Sequence, residues 1–333
     1  MAKKIFLGVL ILFLSASIFS VASAKKVAEQ WRLDGSASDE LRNFRLMTDD
    51  WQNTFRGEEP TRQGLDKLCA SAGAQPSLVS LQMLYDKIHE LKPDTKIYLI
   101  DLRQESHGFV NSLPVSWYAK YNAANAGKNS AEVQQDELNR LKNLCGVETT
   151  FTPLGNSDTK RLKPVTLTPR VVQTERDAAE KVGFEYIRFA AADMQFPAPE
   201  LVDEFILFVA QLPHNSWLHF HCQAGHGRTT IFLVMYDIMK NPDLSLEEIC
   251  QRQYLLGGSN LLLEPEGKDW YSRMARDRAK KIRMFYDFVQ GTRSEQIGVQ
   301  WSEYLELRMK KGINNEKFFD SVRGRDDFVD RLG

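Results

Sequence analysis

The stretch from Trp217 to Lys240 constrains the fold of this chain more than any other. An apolar run, Trp217 to His221, leads through Cys222-Gln223-Ala224-Gly225-His226-Gly227 into a segment beginning Arg228-Thr229-Thr230. That last segment is apolar nearly all round, with Ile231, Phe232, Val234, Met235 and Ile238. A short run of this kind reads as a buried strand, and a helix apolar on every side has to sit in the centre of a domain. A central strand followed at once by a central helix calls for a layered α/β architecture with a mostly parallel sheet.

The rest of the chain fits that frame. Pro76 to Leu91 has helical apolar spacing, and Ile97 to Ile100 reads as a buried strand. Residues 103–130, rich in Gly, Asn and Ser, read as loop with local helix, and Ala131 to Leu144 as a polar helix. Thr and Val alternate over Val147–Leu154 and Pro164–Val172, which predicts antiparallel strands. From Glu175 the order is helix, strand (Tyr186–Ala190), helix (Pro199–Leu212), then the central strand and helix, with two or three further helices over 245–312. The expected fold is therefore a central mostly parallel sheet flanked by helices, with a smaller antiparallel β element within about 103–175. Residues 25–65 are polar and expected to lie over the surface.

Lys3 and Lys4, an apolar run from Ile5 to Phe19 and the small-x-small site Ala22-Ser23-Ala24 have the layout of a secretory signal peptide. Residues 1–24 are thus expected to be removed near Ala24, leaving one domain over 25–333, periplasmic or secreted and without a stable membrane anchor. At 333 residues the chain is long enough for about two domains of ordinary size. Its 43 Lys+Arg against 44 Asp+Glu give a net charge of −1, so no general attraction to nucleic acid is expected. Cys69, Cys145 and Cys250 read as buried thiols, with a disulfide between two of them open after export.

The loop at Cys222 has a chemical logic. Gly225 and Gly227 permit backbone angles that a Cβ resists, so the amides of Gln223, Ala224, Gly225, His226 and Gly227 can turn inward as an anion nest. The N-terminus of the following helix adds partial positive charge, and the planar fork of Arg228 can grip two phosphate oxygens. Such a field favours a thiolate at Cys222, and a thiolate beneath a held phosphate is a nucleophile for phosphoryl transfer. Thr229 is placed to hydrogen-bond that sulfur. A zinc site is disfavoured, because His221 and Cys222 point to opposite faces of a strand and there is no Cys-x2-Cys partner. Neither metal nor other cofactor is called for.

His-Cys-x5-Arg-Thr is the signature of the cysteine-dependent protein tyrosine phosphatase superfamily, and the wider string Trp217–Thr230 resembles the bacterial PTP-like myo-inositol phosphatases, or cysteine phytases. Asp101–Tyr118 and Phe189–Pro197 resemble the same family, and the resemblance spans roughly 40–290. The string departs from the family at His226, where a small apolar residue is expected, and at Gln195-Phe196, in place of an aliphatic-Trp pair. The resemblance implies a phosphatase with a phosphocysteine intermediate, acting without metal on a small-molecule inositol polyphosphate. It implies Asp193, 29 residues before Cys222, as general acid. It also matches Arg278 and, through a weaker local alignment, Arg45 to basic substrate contacts. Asp101 and His107 lie in the distinctive upstream segment, as a hydroxyl contact, a support for the acid loop or a structural cap. Lys163, with Lys160 and Arg161, is expected to rim the site.

Arg278 carries its own signal. In the basic segment 268–283 it falls on the apolar stripe of Tyr271, Ala275, Ile282, Phe285 and Val289. An arginine there should be paired or should line a cavity. Two competing readings remain: a protein tyrosine or dual-specificity phosphatase, and a non-catalytic phosphate-binding module.

Overall fold

The computed structural model describes residues 29–312, apart from 39, 55–56, 154, 156–158, 296–298 and 311. The segment read as a signal peptide lies outside the described residues.

The strands in chain order are β1 (Gln30–Leu33), β2 (Arg45–Leu46), β3 (Ala70–Ala74), β4 (Lys96–Asp101), β5 (His107–Val110), β6 (Leu113–Tyr118), β7 (Thr149–Pro153), β8 (Val165–Leu167), β9 (Val172–Gln173), β10 (Glu185–Arg188) and β11 (Ser216–Cys222). The helices are α1 (Leu78–Leu91), α2 (Ser130–Leu144), α3 (Glu175–Val182), α4 (Pro199–Ala210), α5 (Gly227–Lys240), α6 (Leu246–Leu255), α7 (Trp270–Glu295) and α8 (Trp301–Lys310). Local chemistry fixes many helix starts. Ser77, Asn129 and Ser245 close capping boxes on α1, α2 and α6, Thr174 caps α3, and Pro199 opens α4.

The central sheet has the order β10-β4-β11-β3-β2, parallel except for β2 at its edge. Alternation along β11 assigns its two faces. Leu218 and Phe220 pack with α5 residues Ile231, Phe232 and Met235, whereas Trp217 packs with Leu81 and Leu84 of α1 and Ala178 of α3. Helix α5 is buried over almost its whole length, as its all-round apolarity requires.

The antiparallel element is larger than the sequence suggests. Six strands, β8-β7-β1-β6-β5-β9, form a second sheet around Trp31, Leu33, Val110, Val115, Leu141 and Phe151. Two expectations are corrected here. Residues 103–130 contain the hairpin β5–β6, closed by Asn111 and Ser112 at φ 46° and 72°. Paired left-handed residues make the turn that suits strand twist, and a polar, Gly-containing composition concealed it. Residues 25–65 do not merely cover the surface. β1 lies between β6 and β7, with Leu33 buried, and β2 borders the central sheet.

Candidate active site

Cys222 ends β11 and is buried, and the following loop is folded by identifiable contacts. Gly225 has φ +75°, and a Cβ there would lie 2.3 Å from the backbone of Gly73. Only glycine allows the loop to press against the end of β3. The carbonyl of Gln223 accepts from the Gln75 amide, that of Ala224 from Asn43 Nδ2, and that of His226 from Thr230. Carbonyls thus point to the scaffold. In a trans peptide the next N–H points the opposite way, so the amides of Ala224, Gly225 and Gly227 turn inward. Thr229 is fully buried, and its Oγ1 has no hydrogen-bond partner among the described residues. His226 reaches back to the Gly257 carbonyl at 3.3 Å.

Arg228 is aimed by Glu105, a residue that sequence reasoning did not single out. Its Nη1 and Nη2 donate to Glu105 Oε2 and Oε1 at 2.7 and 3.0 Å. This two-toothed grip uses one edge of the guanidinium and turns Nε toward Asp193, whose Oδ1 lies 3.4 Å away. Arg103 grips the same Glu105 Oε1 through Nε at 2.7 Å and meets Asp34 at 2.9 Å. Signs therefore alternate along Asp34, Arg103, Glu105, Arg228 and Asp193. Burial pushes Glu105 toward its neutral form, but Arg228 and Arg103 overcome it and hold the carboxyl well below the usual range. Burial likewise lowers Arg228, and Asp193 and Glu105 more than reverse it.

Asp193 sits on the loop between β10 and α4, with a side chain 31% exposed. Asn122 Nδ2 donates to its Oδ2 at 3.3 Å. Met194, Tyr121 and Asn122 all have positive φ, so left-handed non-glycine residues flank Asp193. A cavity of about 190 Å³ joins Asp193 and Gln223 to Asp34, Arg103, Tyr118 and Trp270. Tyr121 and Trp270 stack at its wall, 4.8 Å between ring centres. A larger cavity, about 550 Å³, lies across the acid loop and shares Asp193 and Asn122 with the first.

Arg45 and Arg278 are both buried cations. Arg45 Nη1 donates to the Asn43 carbonyl at 3.3 Å, while Nε and Nη2 have no partner among the described residues. Burial pulls Arg45 down to about 10, with the nearby Cys222 acting the other way. Arg278 Nε is likewise unpartnered, and burial lowers its pKa. Lys163 is exposed in the β7–β8 connection, and none of Arg45, Arg278 and Lys163 lines either cavity at Asp193.

Asp101 and His107 are not in the pocket wall, which corrects the expectation that they touch substrate. Both are 0% exposed. His107 Nδ1 faces the Glu105 carbonyl at 2.9 Å and Arg188 Nη2 at 3.2 Å, while Nε2 meets Glu175 Oε2 at 2.7 Å. Burial, above all, keeps His107 neutral and raises Glu175 well above the carboxylate range. Both shifts favour the neutral forms, in which Glu175 donates and Nε2 accepts. Asp101 Oδ2 takes the Tyr186 hydroxyl at 2.5 Å and Arg188 Nε at 3.2 Å. Burial opposes its charge, but the Arg188 guanidinium and the hydrogen bond from Tyr186 hold it low. Ligand atoms of Asp101, His107 and Glu175 lie within 4.8 Å of one another, a spacing that suits a metal. A cation there would face the Arg188 guanidinium already on the same oxygen, so the donor set fits a hydrogen-bonded cluster instead. That cluster supports the active-site loop from below, since Arg188 also donates to the carbonyls of Arg103 and Glu105.

The four described cysteines are free thiols; Cys250 is buried as expected, but Cys69 is half-buried and Cys145, just after α2, is exposed, which corrects the expectation of burial. No described helix is long and apolar enough to cross a membrane.

The family model for PTP-like phytases, with the description "Inositol hexakisphosphate", matches residues 100–240. The chain is similar to the tandemly repeated PTP-like phytase of Mitsuokella multacida, at 40% identity and TM-score 0.77, covering 83% of this chain and 48% of that one. It is similar to the PTP-like myo-inositol phosphatase of the same organism, solved with myo-inositol-(1,3,4,5)-tetrakisphosphate, at 38% identity and TM-score 0.77, covering 84% and 49%. It thus spans about half the length of these two proteins. Effector protein hopD2 of Pseudomonas syringae pv. tomato is 29% identical over 217 residues, 62% of this chain and 45% of that protein. The PTP-like phytase of Bdellovibrio bacteriovorus is matched at 30% identity and TM-score 0.67, over 84% of this chain and 95% of its own length. Across essentially a whole relative, then, fold and sequence agree, and this chain belongs to the PTP-like phytases, a family of phosphatases.

Proposed function

We propose that the protein is an exported inositol-polyphosphate phosphatase that hydrolyses myo-inositol hexakisphosphate without a metal. The observation that carries the substrate class is the pair of buried, uncompensated cations, Arg45 and Arg278. A buried charge without a partner is costly, and an anionic ligand relieves that cost. One phosphate is served by the loop and Arg228. Two further guanidiniums suit a substrate with several phosphates. The tetrakisphosphate held by a relative 38% identical to this chain supports the same reading.

In the proposed reaction the inward amides and the Nε side of Arg228 hold the reacting phosphate. The Cys222 thiolate attacks phosphorus, an S–P bond forms and the P–O bond to the ring breaks. Protonated Asp193 gives its proton to the leaving alkoxide. Asp193, now a carboxylate, takes a proton from the water that attacks phosphocysteine, and Thr229 hydrogen-bonds the departing sulfur. Phosphate release from hexakisphosphate by residues 25–333, undiminished by chelator, is the expected result. Loss of activity in chelator, or hydrolysis of phosphotyrosine peptides in strong preference to hexakisphosphate, would overturn the reading.

A further inference from the structure

A cavity of about 320 Å³ lies at the opposite end of the central sheet from Cys222, among the start of β11, the segment before β3 and the end of α5. Ser216, on its wall, is six residues from Cys222 along one strand, about 20 Å at roughly 3.3 Å per residue. The charged and titratable side chains lining it are Lys67, Lys240, His214 and Cys69, with Tyr236 as its floor; no carboxylate does so among the described residues. Lys92 lies just behind, its Nζ 3.1 Å from Cys69 Sγ.

The other polar side chains of the wall are tied to the scaffold, though the Asn241 amide keeps one N–H. The Ser216 hydroxyl donates to the Pro213 carbonyl at 2.7 Å, Tyr236 to Leu68 at 3.1 Å, and Asn241 Nδ2 to Asp237 at 2.8 Å. Lys67 and Lys240 enter no ion pair among the described residues, and Lys240 Nζ lies only over the Tyr236 ring, 5.7 Å from its centre. A concave site lined by two lysines outside any ion pair, with no carboxylate on its wall among the described residues, favours an anion.

We propose that this cavity is a second, non-catalytic binding site for phosphate-bearing anions. Lys67 and Lys240 supply the charge and His214 adds a donor. Several cations favour a ligand with more than one phosphate over a single small anion. The proposal does not rest on the substrate of the catalytic site, because Cys69 reports occupancy directly.

The test uses the Cys222→Ser chain and the rate of Cys69 alkylation by iodoacetamide, followed by peptide mass. Myo-inositol hexakisphosphate at ten times its dissociation constant should slow Cys69 about tenfold, leaving the exposed Cys145 unchanged. Sulfate at matched ionic strength is the control. The double variant Lys67→Ala/Lys240→Ala should lose the protection. Equal protection by inorganic phosphate assigns the site to the released product, and protection by hexakisphosphate alone to a polyphosphorylated ring. An unprotected Cys69, or protection that persists in the double variant, overturns the proposal. Should Cys69 resist alkylation, calorimetry decides, with one equivalent of hexakisphosphate fewer expected for the double variant than for Cys222→Ser alone; equal stoichiometry contradicts the proposal.

Discussion

Two buried charge networks, built from the same few residue types, meet at the segment 101–107 and serve different ends. One runs from Asp34 through Arg103, Glu105 and Arg228 to Asp193, and its last carboxylate is open to solvent. The other joins Asp101, His107, Glu175, Arg188 and Glu137, and is sealed. In the first, two arginines grip Glu105 and hold its charge, although burial raises Asp34 at the far end. In the second, burial wins at Glu175, and a neutral carboxyl bonds a neutral imidazole. The first network ends on an exposed carboxylate, whereas the second, with ionised Asp101 and Arg188 beside the Glu175–His107 pair, ends on the backbone carbonyls of Arg103 and Glu105.

The largest effect should come at the open end of the first network. Asp193→Asn is expected to lower turnover of hexakisphosphate by roughly 10²–10⁴-fold. The loss should be much smaller on an aryl phosphate whose leaving group needs little protonation. Equal losses on both substrates would count against Asp193 as the acid.

The sharpest contrast pairs a glutamate from each network. Glu105→Gln leaves Arg103 and Arg228 unbalanced and should cost about 3–5 kcal/mol of stability. With Arg228 no longer fixed, kcat should also fall, by about 10²-fold if the guanidinium shifts by an ångström. Glu175→Gln replaces a protonated carboxyl with an amide of similar shape, and should change stability by less than about 1 kcal/mol. Urea unfolding and kinetics of the two variants side by side decide this; equal effects would dissolve the distinction between the networks.

Arg278→Ala should raise KM for hexakisphosphate by about tenfold, the equivalent of ~1.4 kcal/mol of binding, with little change in kcat. A small monophosphate should not register the change. Arg283, which pairs with Glu264 at 3.1 Å, is the comparison, and Arg283→Ala should do little. Matching behaviour of the two variants would make Arg278 a structural residue.

The smallest effect concerns pH. His219 is buried against Ser71, and burial first, then His221 and Arg45, depress its pKa well below 6.5. The unfolded chain therefore binds a proton that the folded chain refuses. Stability should fall as pH drops below about 6.5, by up to ~1.4 kcal/mol per pH unit from this residue. His219→Gln should flatten the profile by that amount between pH 6.5 and the folded pKa, read from urea midpoints; an unchanged slope would assign the proton elsewhere.

The central layer and the Cys222 loop were legible in the sequence, because strand burial, glycine placement and an apolar helix are local signals. The burial of Arg278 was legible too, as a charge on an apolar stripe, while its contact with substrate is a proposal. Glu105 was not, since its meaning lies in two arginines, one of them 123 residues away. Its one local trace is the alternation Asp101-x-Arg103-x-Glu105 after a strand. Asp101 and His107 misled for the converse reason: a strand end in an α/β sheet marks the right neighbourhood, but whether a side chain faces the pocket or the scaffold depends on partners such as Glu175 and Arg188. β1 was hidden because four residues, Gln30–Leu33, alternate polar and apolar too briefly to stand out.

The most direct test of the central claim traps the intermediate. Asp193→Asn, mixed with an activated aryl phosphate, should form phosphocysteine readily but hydrolyse it slowly, because the same residue activates water. Rapid acid quench and peptide mapping should then show one phosphoryl group on Cys222, with a matching burst of aryl alcohol that Cys222→Ser lacks. A burst with the phosphoryl group on another residue, or turnover surviving in Cys222→Ser, would contradict it.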